Sequence, residues 1–345
     1  MSEPAILLGR GLVATGWRRA RRLPASLLVG GTLASVLLAV AVAAPWLTAV
    51  DPAAQPDPVA GRHLSPGSRR VPLELADGRT VLAESAVRRG DRVVVERLGS
   101  TTSLGAGEIA NLTADGSVPT TIRFPLGTDR FSRDVWARLV HGARVSLTVG
   151  LLAALLAVTV GVVIGSAAAA GGRVADALLM RFVDAVLSFP RIFLLLAVVA
   201  LFRPGLTALI VVLGGTAWMS VARVVRAELT ALRKREFALA ARAAGRHPLA
   251  VLVVHLLPNA MTPVLVALGL LTADVIVLES SLSFLGLGVP APAPSWGNMI
   301  AGGADVLIDA WWVATFPGMA LTLTVLAFNL VADGLRDLLD PRRVR

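Results

Sequence analysis

The stretch "VSLTVGLLAALLAVTVGVVIGSAAAAGG", Val145 to Gly172, holds not one charged side chain. As a helix it exceeds the roughly 20 apolar residues needed to cross about 30 Å of bilayer hydrocarbon. It is apolar all round and shows no polar face to water, so it suits a membrane interior. Five further runs are apolar, with Arg191 the one charge among them: Ser26 to Val50, Ala185 to Phe202, Pro204 to Ala222, Leu249 to Ala273 and Ala310 to Ala332. Together they predict an all-α membrane protein of six transmembrane helices. The run at Ser26 follows Arg18, Arg19, Arg21 and Arg22, as a secretory leader would. It outlasts the roughly 7–15 residues of a cleaved leader core and ends in Pro45, Trp46 and Leu47 rather than small residues, so it reads as a retained first helix over 26–50.

Composition agrees with a bilayer solvent. Of 345 residues, 55% are hydrophobic and 16% charged, against roughly 25% charged in soluble domains. The net charge of +10 does not argue for nucleic acid, because the basic residues flank apolar runs instead of sharing one face with aromatics. No cysteine is present, which excludes disulfides and thiolate metal sites, and the four histidines are scattered.

Lys and Arg in short loops are retained on the cytoplasmic side. The tail 1–25 carries Arg10, Arg18, Arg19, Arg21 and Arg22, and the loop 223–248 carries Arg223, Arg226, Arg233, Lys234, Arg235, Arg242 and Arg246, whereas Asp274 to Asp309 has neither Lys nor Arg. Both termini are therefore expected in the cytoplasm. Trp46, Trp311 and Trp312 then fall at the outer interface. The polar segment 51–141 is expected outside as a small β-rich insertion, with two strands around Asp77-Gly78 in "VPLELADGRTVLAES" and a third in "GDRVVVERL". Residues 142–345 form a five-helix core. Asn111-Leu112-Thr113 matches a glycosylation acceptor, a pattern common by chance.

Function is first narrowed by what is missing. The sequence has no G-x-x-x-x-G-K-[ST] phosphate loop, no H-E-x-x-H and no G-x-S-x-G, so nucleotide work falls to a partner and no common hydrolytic centre is recognisable. The informative positive feature is "RVVRAELTALRKREFALAARAAGRHPLAVLVVHLLPN", Arg223 to Asn259. Its "RKREFALAARAAG" portion is made of good helix formers and stops at Gly245, a suitable C-terminal cap. His247-Pro248 then starts a new helix. Such a bent element could transmit motion from a partner seated on it, or it could be a basic loop that only fixes orientation.

At these residues the chain resembles the permease subunits of ABC importers. "LAARAAG" and "LLPN" are similar to their coupling motif, Glu-Ala-Ala, three residues, Gly, nine residues and an apolar-x-Leu-Pro ending. Ala240, Ala241, Gly245, Leu257 and Pro258 fall on it in register, while Leu239 stands in place of the Glu and His255 in place of the usual Ile. "FPLGTDRFSRDVWARLVHGARVSLTVG", Phe124 to Gly150, and "LESSLSFLGLGVPAPAPSWGNMI", Leu278 to Ile300, resemble the dipeptide, oligopeptide and nickel branch, C-type subunit. The insertion at Gly61 to Thr121 is not covered by the resemblance.

The resemblance implies a type I importer architecture working as half of a heterodimer. Its partners would be a second permease chain, two cytoplasmic ATPase subunits that hold ATP and Mg, and an extracytoplasmic solute-binding protein. It implies no cofactor or metal in this chain and no enzymatic activity of its own. The solute would be a peptide, with nickel or other small solutes as alternatives. A secondary transporter or channel independent of ATP is the rival class, and would need more midplane acids or broken helices. An exporter with a fused ATPase and an intramembrane enzyme fit less well.

At the residue level, Asp184 and Arg191 flank Pro190 and need water, a partner or the interface. They read as snorkelling ends of the third run or as pathway residues. Asp274 and Glu279 lie near the outer end of the fifth run, and Glu279, Ser283 and Gly286 belong to the "LESSLSFLG" block as pathway or gate candidates. Gly161 and Gly165 form a G-x-x-x-G face that admits a close neighbouring helix, a match also expected by chance in so Ala- and Gly-rich a chain.

Overall fold

The computed structural model describes residues 23–199, 201 and 205–339. The arginines of the tail at 10, 18, 19, 21 and 22, and Phe202 and Pro204 at the junction of the third and fourth runs, lie outside the described residues. In chain order the helices are α1 (Ala25–Leu47), α2 (Val135–Ala170), α3 (Gly172–Leu187), α4 (Arg191–Val199), α5 (Leu206–Gly215), α6 (Trp218–Leu232), α7 (Glu236–Ala243), α8 (Pro248–Ala250), α9 (Leu257–Phe284), α10 (Trp296–Ala304) and α11 (Trp312–Leu339). A π-helical turn, Val251–Leu256, joins α8 to α9.

Among the described residues, five stretches are long and apolar enough to cross a bilayer: α1, α2, α5 with α6, α8 through α9, and α11. Together α3 and α4 make a sixth, broken one, bent by 85°. The third run is thus not one helix from Ala185. The chain turns at Gly171-Gly172, where Gly172 has φ +80°, and α3 is already complete when Pro190, which has no N–H to continue the ladder, starts a new direction.

Helices also outrun the uncharged stretches. Helix α2 begins at Val135 and α6 continues to Leu232, so Arg138, Arg223 and Arg226 are helical rather than loop residues. The "LESSLSFLG" block is helical as far as Phe284, where α9 ends. These charges are tolerated because they are paired: Arg226 Nε donates to Asp176 at 2.8 Å, and Arg138 Nε lies 3.8 Å from Asp129.

Helix α2 is the central post. The Gly161/Gly165 face receives α6 so closely that a Cβ at Gly161 would lie 2.6 Å from Val221 Cβ, and one at Gly165 2.6 Å from the Ala222 carbonyl. Gly150 gives the same closeness to Ile276 of α9. Helices α1 and α11 pack through Gly30, against Leu330 and Val331, and Gly334, against Leu27. A core of Val158, Val221, Val225, Leu229, Leu256 and Val264 fills the end nearest α7.

The segment between α1 and α2 folds into two three-stranded sheets. One has the order β2-β1-β6, from β1 (Ser68–Glu74), β2 (Thr80–Ala83) and β6 (Ile122–Phe124), and the other is the meander of β3 (Ser85–Arg89), β4 (Arg92–Arg97) and β5 (Ser100–Gly105). The two strands expected around Asp77-Gly78 are β1 and β2, paired antiparallel with Leu73 opposite Val81, and "GDRVVVERL" is β4. Alternate residues Val71, Leu73, Val93 and Val95 bury one small core with Ala83, Ala86 and Ile109. Asn111 accepts from the Glu74 amide and donates to the Pro72 carbonyl, which gives it a structural task within this module.

The insertion is tied to the helices by the segment Phe124 to Asp134. Thr128 Oγ1 donates to the Gly61 carbonyl at 2.5 Å and accepts from the Leu64 amide at 2.8 Å. Its own carbonyl takes the Trp312 indole N–H at 3.1 Å. Trp312 is therefore buried at this joint and is not an interfacial anchor, whereas Trp46 is exposed. Asp134 caps α2, accepting from the Trp136 amide at 2.8 Å.

Candidate functional site

Helix α7 and its junction with α8 form an elbow at one end of the helical body. Helix α7 is built from Ala, Leu, Glu and Arg, and only Ala238 on it is buried. It stops as the sequence predicts. Gly245 takes φ +76°, its amide donates to the Arg242 carbonyl at 2.9 Å, and the Arg246 amide donates to the Ala241 carbonyl at 3.2 Å. This two-bond cap satisfies carbonyls that a helix end leaves open. His247 then caps the next helix through Nδ1, 3.3 Å from the Leu249 amide, with Pro248 at its first position.

The π-helical turn follows at once, an insertion often found where a helix must re-aim side chains. It buries Val251, Leu252 and Leu256 against the body and leaves Val253 and Val254 exposed. Of the motif residues, Ala240 and Gly245 are exposed, Ala241 and Leu257 are half-buried, and Pro258 is exposed in the first turn of α9. Leu239, where the motif has Glu, is 52% exposed, and Phe237 and Leu249 beside it are exposed as well. A 230 Å³ cleft lined by Arg233, Arg242, His247 and Leu252 lies under the elbow. Arg233 bonds the Ala169 carbonyl at the end of α2, so the elbow is anchored to the central post.

The pathway candidates separate into different environments. Glu279 is fully buried; it accepts from Ser283 Oγ at 2.7 Å and faces Ser146 Oγ of α2 at 3.4 Å. Ser146 in turn accepts from the Trp296 amide at the start of α10. Ser295 and Asn298 close that start as a reciprocal capping box. Glu279 and Ser283 therefore join α2, α9 and α10 inside the protein. Gly286 ends α9 with φ +80° and is exposed. Asp184 is exposed and 3.8 Å from Arg223 Nε.

Sequence reasoning placed Arg191 and Asp274 at opposite ends of their runs, yet the structure pairs them directly. The break between α3 and α4 is what carries Arg191 to α9, and no linear reading of an apolar run signals that contact. The pair borders a 110 Å³ cleft with Val186, Leu194, Thr216, Met219, Ser220 and Leu271.

Comparison with known proteins is consistent with this architecture. Residues 161–345 match the family described as "Binding-protein-dependent transport system inner membrane component". The chain is 45% identical over 224 residues, 65% of its length and 75% of the relative's, to a Brucella suis protein named "Putative peptide transport system permease protein". It is 40% identical over 220 residues to the "Di/tripeptide transport system permease protein DppC" of Pseudomonas aeruginosa, covering 64% of this chain and 73% of that one. A solved chain of the MetNI methionine ABC transporter, in an inward-facing form, overlays with a TM-score of 0.48 at 23% identity, over 60% of this chain and 96% of that one. With half of its length matched and relatives above 40% identity, the chain belongs to the binding-protein-dependent transport system inner membrane component family, the multi-pass permease subunits of ABC importers.

Proposed function

We propose that the chain imports peptides as one half of a heterodimeric permease driven by two ATPase subunits, and that the elbow is the seat of one ATPase. The observation that carries this reading is the elbow itself. A short helix with almost no buried residues, closed by a glycine cap and followed by a proline restart, exposes Phe237 and Leu239, and the segment after it exposes Leu249, Val253 and Val254. Exposed apolar side chains along a bend suit contact with a partner, and a rigid bend transmits motion where a flexible loop would absorb it. Ala240, Ala241 and Gly245 keep the surface low enough for close docking, and Leu257 and Pro258 begin the long helix that moves with it.

In this arrangement both termini and the elbow face the cytoplasm, and the β insertion faces outward, beside the solute-binding protein. The arginine distribution supports that orientation. Peptide as solute is supported by the names of the relatives, and nickel by the branch that the sequence resembles. The test is purification of the tagged chain in mild detergent from its host, mass spectrometry of what co-purifies, and reconstitution in liposomes. Recovery of ATPase subunits and a second permease, with ATP-dependent uptake of labelled dialanine, is the expected result. The chain recovered alone and transporting without ATP would replace this reading with a secondary transporter.

A further inference from the structure

Arg191 and Asp274 lie where an unused ion pair has no business being. Helix α5 starts at Leu206 and α9 ends at Phe284, and at 1.5 Å per residue Thr216 and Asp274 each lie about 15 Å from those helix ends. Taking those ends as the outer edge of the hydrocarbon puts the pair about half-way through its roughly 30 Å thickness. Ionised groups at such depth are costly unless they meet protein or water. Here the side chains remain 31% and 50% exposed on the surface of this chain. Bare lipid would be the least favourable neighbour for that surface, which suits a wet, protein-walled space.

The pair is also chemically incomplete. One Arg191 nitrogen, Nη1, binds Asp274, while Nε and Nη2 are shielded and have no hydrogen-bond partner. These two parallel donors match a carboxylate held in bidentate fashion once the guanidinium turns from the protein wall into the cleft. Arg191 is also the first residue of α4, so the positive end of that helix dipole lies beside it. Asp274 supplies the opposite charge on the same cleft wall. A second groove continues from Asp274 and Ser220 along α6 and α9, past Val224, Ala267 and Leu270.

We propose that Arg191 and Asp274 form a mid-membrane station for the backbone ends of a zwitterionic peptide, Arg191 receiving the carboxylate and Asp274 the ammonium. Between solutes the two side chains neutralise each other, so an empty pathway carries no uncompensated charge at that depth. The broken α3–α4 segment sets the station, because the turn at Ser188–Pro190 delivers Arg191 to the middle of the bundle. The proposal rests on the peptide-import reading and adds the place and polarity of solute contact.

The experiment uses the assembled importer with its binding protein in liposomes. Arg191→Gln, Asp274→Asn and the double exchange Arg191→Asp/Asp274→Arg are each assayed for dialanine uptake, subunit assembly and ATPase activity without solute. The expected result is at least a tenfold loss of uptake in all three, with assembly and solute-free ATPase retained. Ser220→Cys, the sole thiol in the permease chain, is expected to react with a charged, membrane-impermeant methanethiosulfonate, and dialanine to slow that reaction. A double exchange that restores uptake would assign the pair a purely structural role and overturn the proposal. So would an unreactive Ser220→Cys, which would place the cleft against lipid. Failure of the peptide-import reading has a different signature, since the wild-type importer itself would then not take up dialanine.

Discussion

At Gly245 the backbone occupies the left-handed region, and a Cβ built there meets nothing within 4 Å. Strain and bulk can therefore be separated. Gly245→Ala imposes only the backbone penalty, about 1 kcal/mol, and is expected to retain most uptake. Gly245→Arg adds the same strain and also fills the open space where the ATPase is proposed to sit. It is expected to insert normally while binding-protein-stimulated ATPase activity falls at least tenfold. ATPase and uptake assays on the two variants side by side check this. Equal behaviour of the two would mean that the space beside Gly245 is not a docking surface.

Asp57 gives a second residue-scale expectation. Burial alone would raise its carboxyl, but the Ala60 and Leu82 amides, Arg97 and the Val59 amide outweigh that and hold it below the usual carboxylate range. A carboxyl whose folded pKa is depressed contributes stability above its unfolded value, near 3.9, and loses it as pH falls toward the folded value. The insertion is thus expected to loosen below about pH 4. Asp57→Asn should remove this carboxylate's share of the acid transition, measurable as protease resistance of the β module against pH, and an unchanged acid profile would refute the assignment.

Among the elements, the seam between α2 and α6 was readable as a small-residue spacing, because Gly161 and Gly165 share one face whatever the fold. What packs there was not readable. Gly165→Leu is expected to separate α6 from α2, since the new side chain would begin 2.6 Å from the Ala222 carbonyl and 2.9 Å from Val225 Cβ. The measurement is the yield of monodisperse chain in detergent, predicted to fall severely, against a control at Gly31, which has open space around it.

The same scale shows why other features escaped the sequence. Uncharged runs mark where lipid must be, but helices end where hydrogen bonding ends, so Arg138, Arg223 and Arg226 could extend α2 and α6 once paired. Strands β1, β2 and β4 announced themselves by alternation around turn residues. Strands β3 and β5, "SAVRR" and "STTSLG", are almost wholly exposed and carry little apolar signal. Trp312 reads as an anchor in isolation; only the fold reveals the Thr128 carbonyl that its indole serves. The elbow was legible to the residue because a glycine cap and a proline start are local devices. The Arg191–Asp274 pair was not, being a product of the α3–α4 bend and of long-range packing.

For the whole molecule, a central post with an elbow at one end and a β module at the other defines a direction. The post α2 reaches both ends: its first turn is capped by Asp134 beside the insertion, and its last carbonyls meet Arg233 next to the elbow. A push on the elbow therefore bears on the same helix that carries the joint with the insertion. This supports rigid-body tilting rather than local rearrangement as the response to a push at the elbow.

The measurement that tests the coupling claim most directly is site-specific cross-linking at the elbow. The chain has no cysteine, so Ala244→Cys places a single thiol on an exposed position beside the cap. A short bifunctional thiol-to-amine reagent is expected to join this position to an ATPase subunit in native membranes, with a yield that nucleotide changes. A thiol in the β insertion, at Gly116, should give no ATPase adduct. Cross-linking of the ATPase to Gly116→Cys, or its absence at Ala244→Cys in an importer that still hydrolyses ATP, would mean that the elbow is not the ATPase seat.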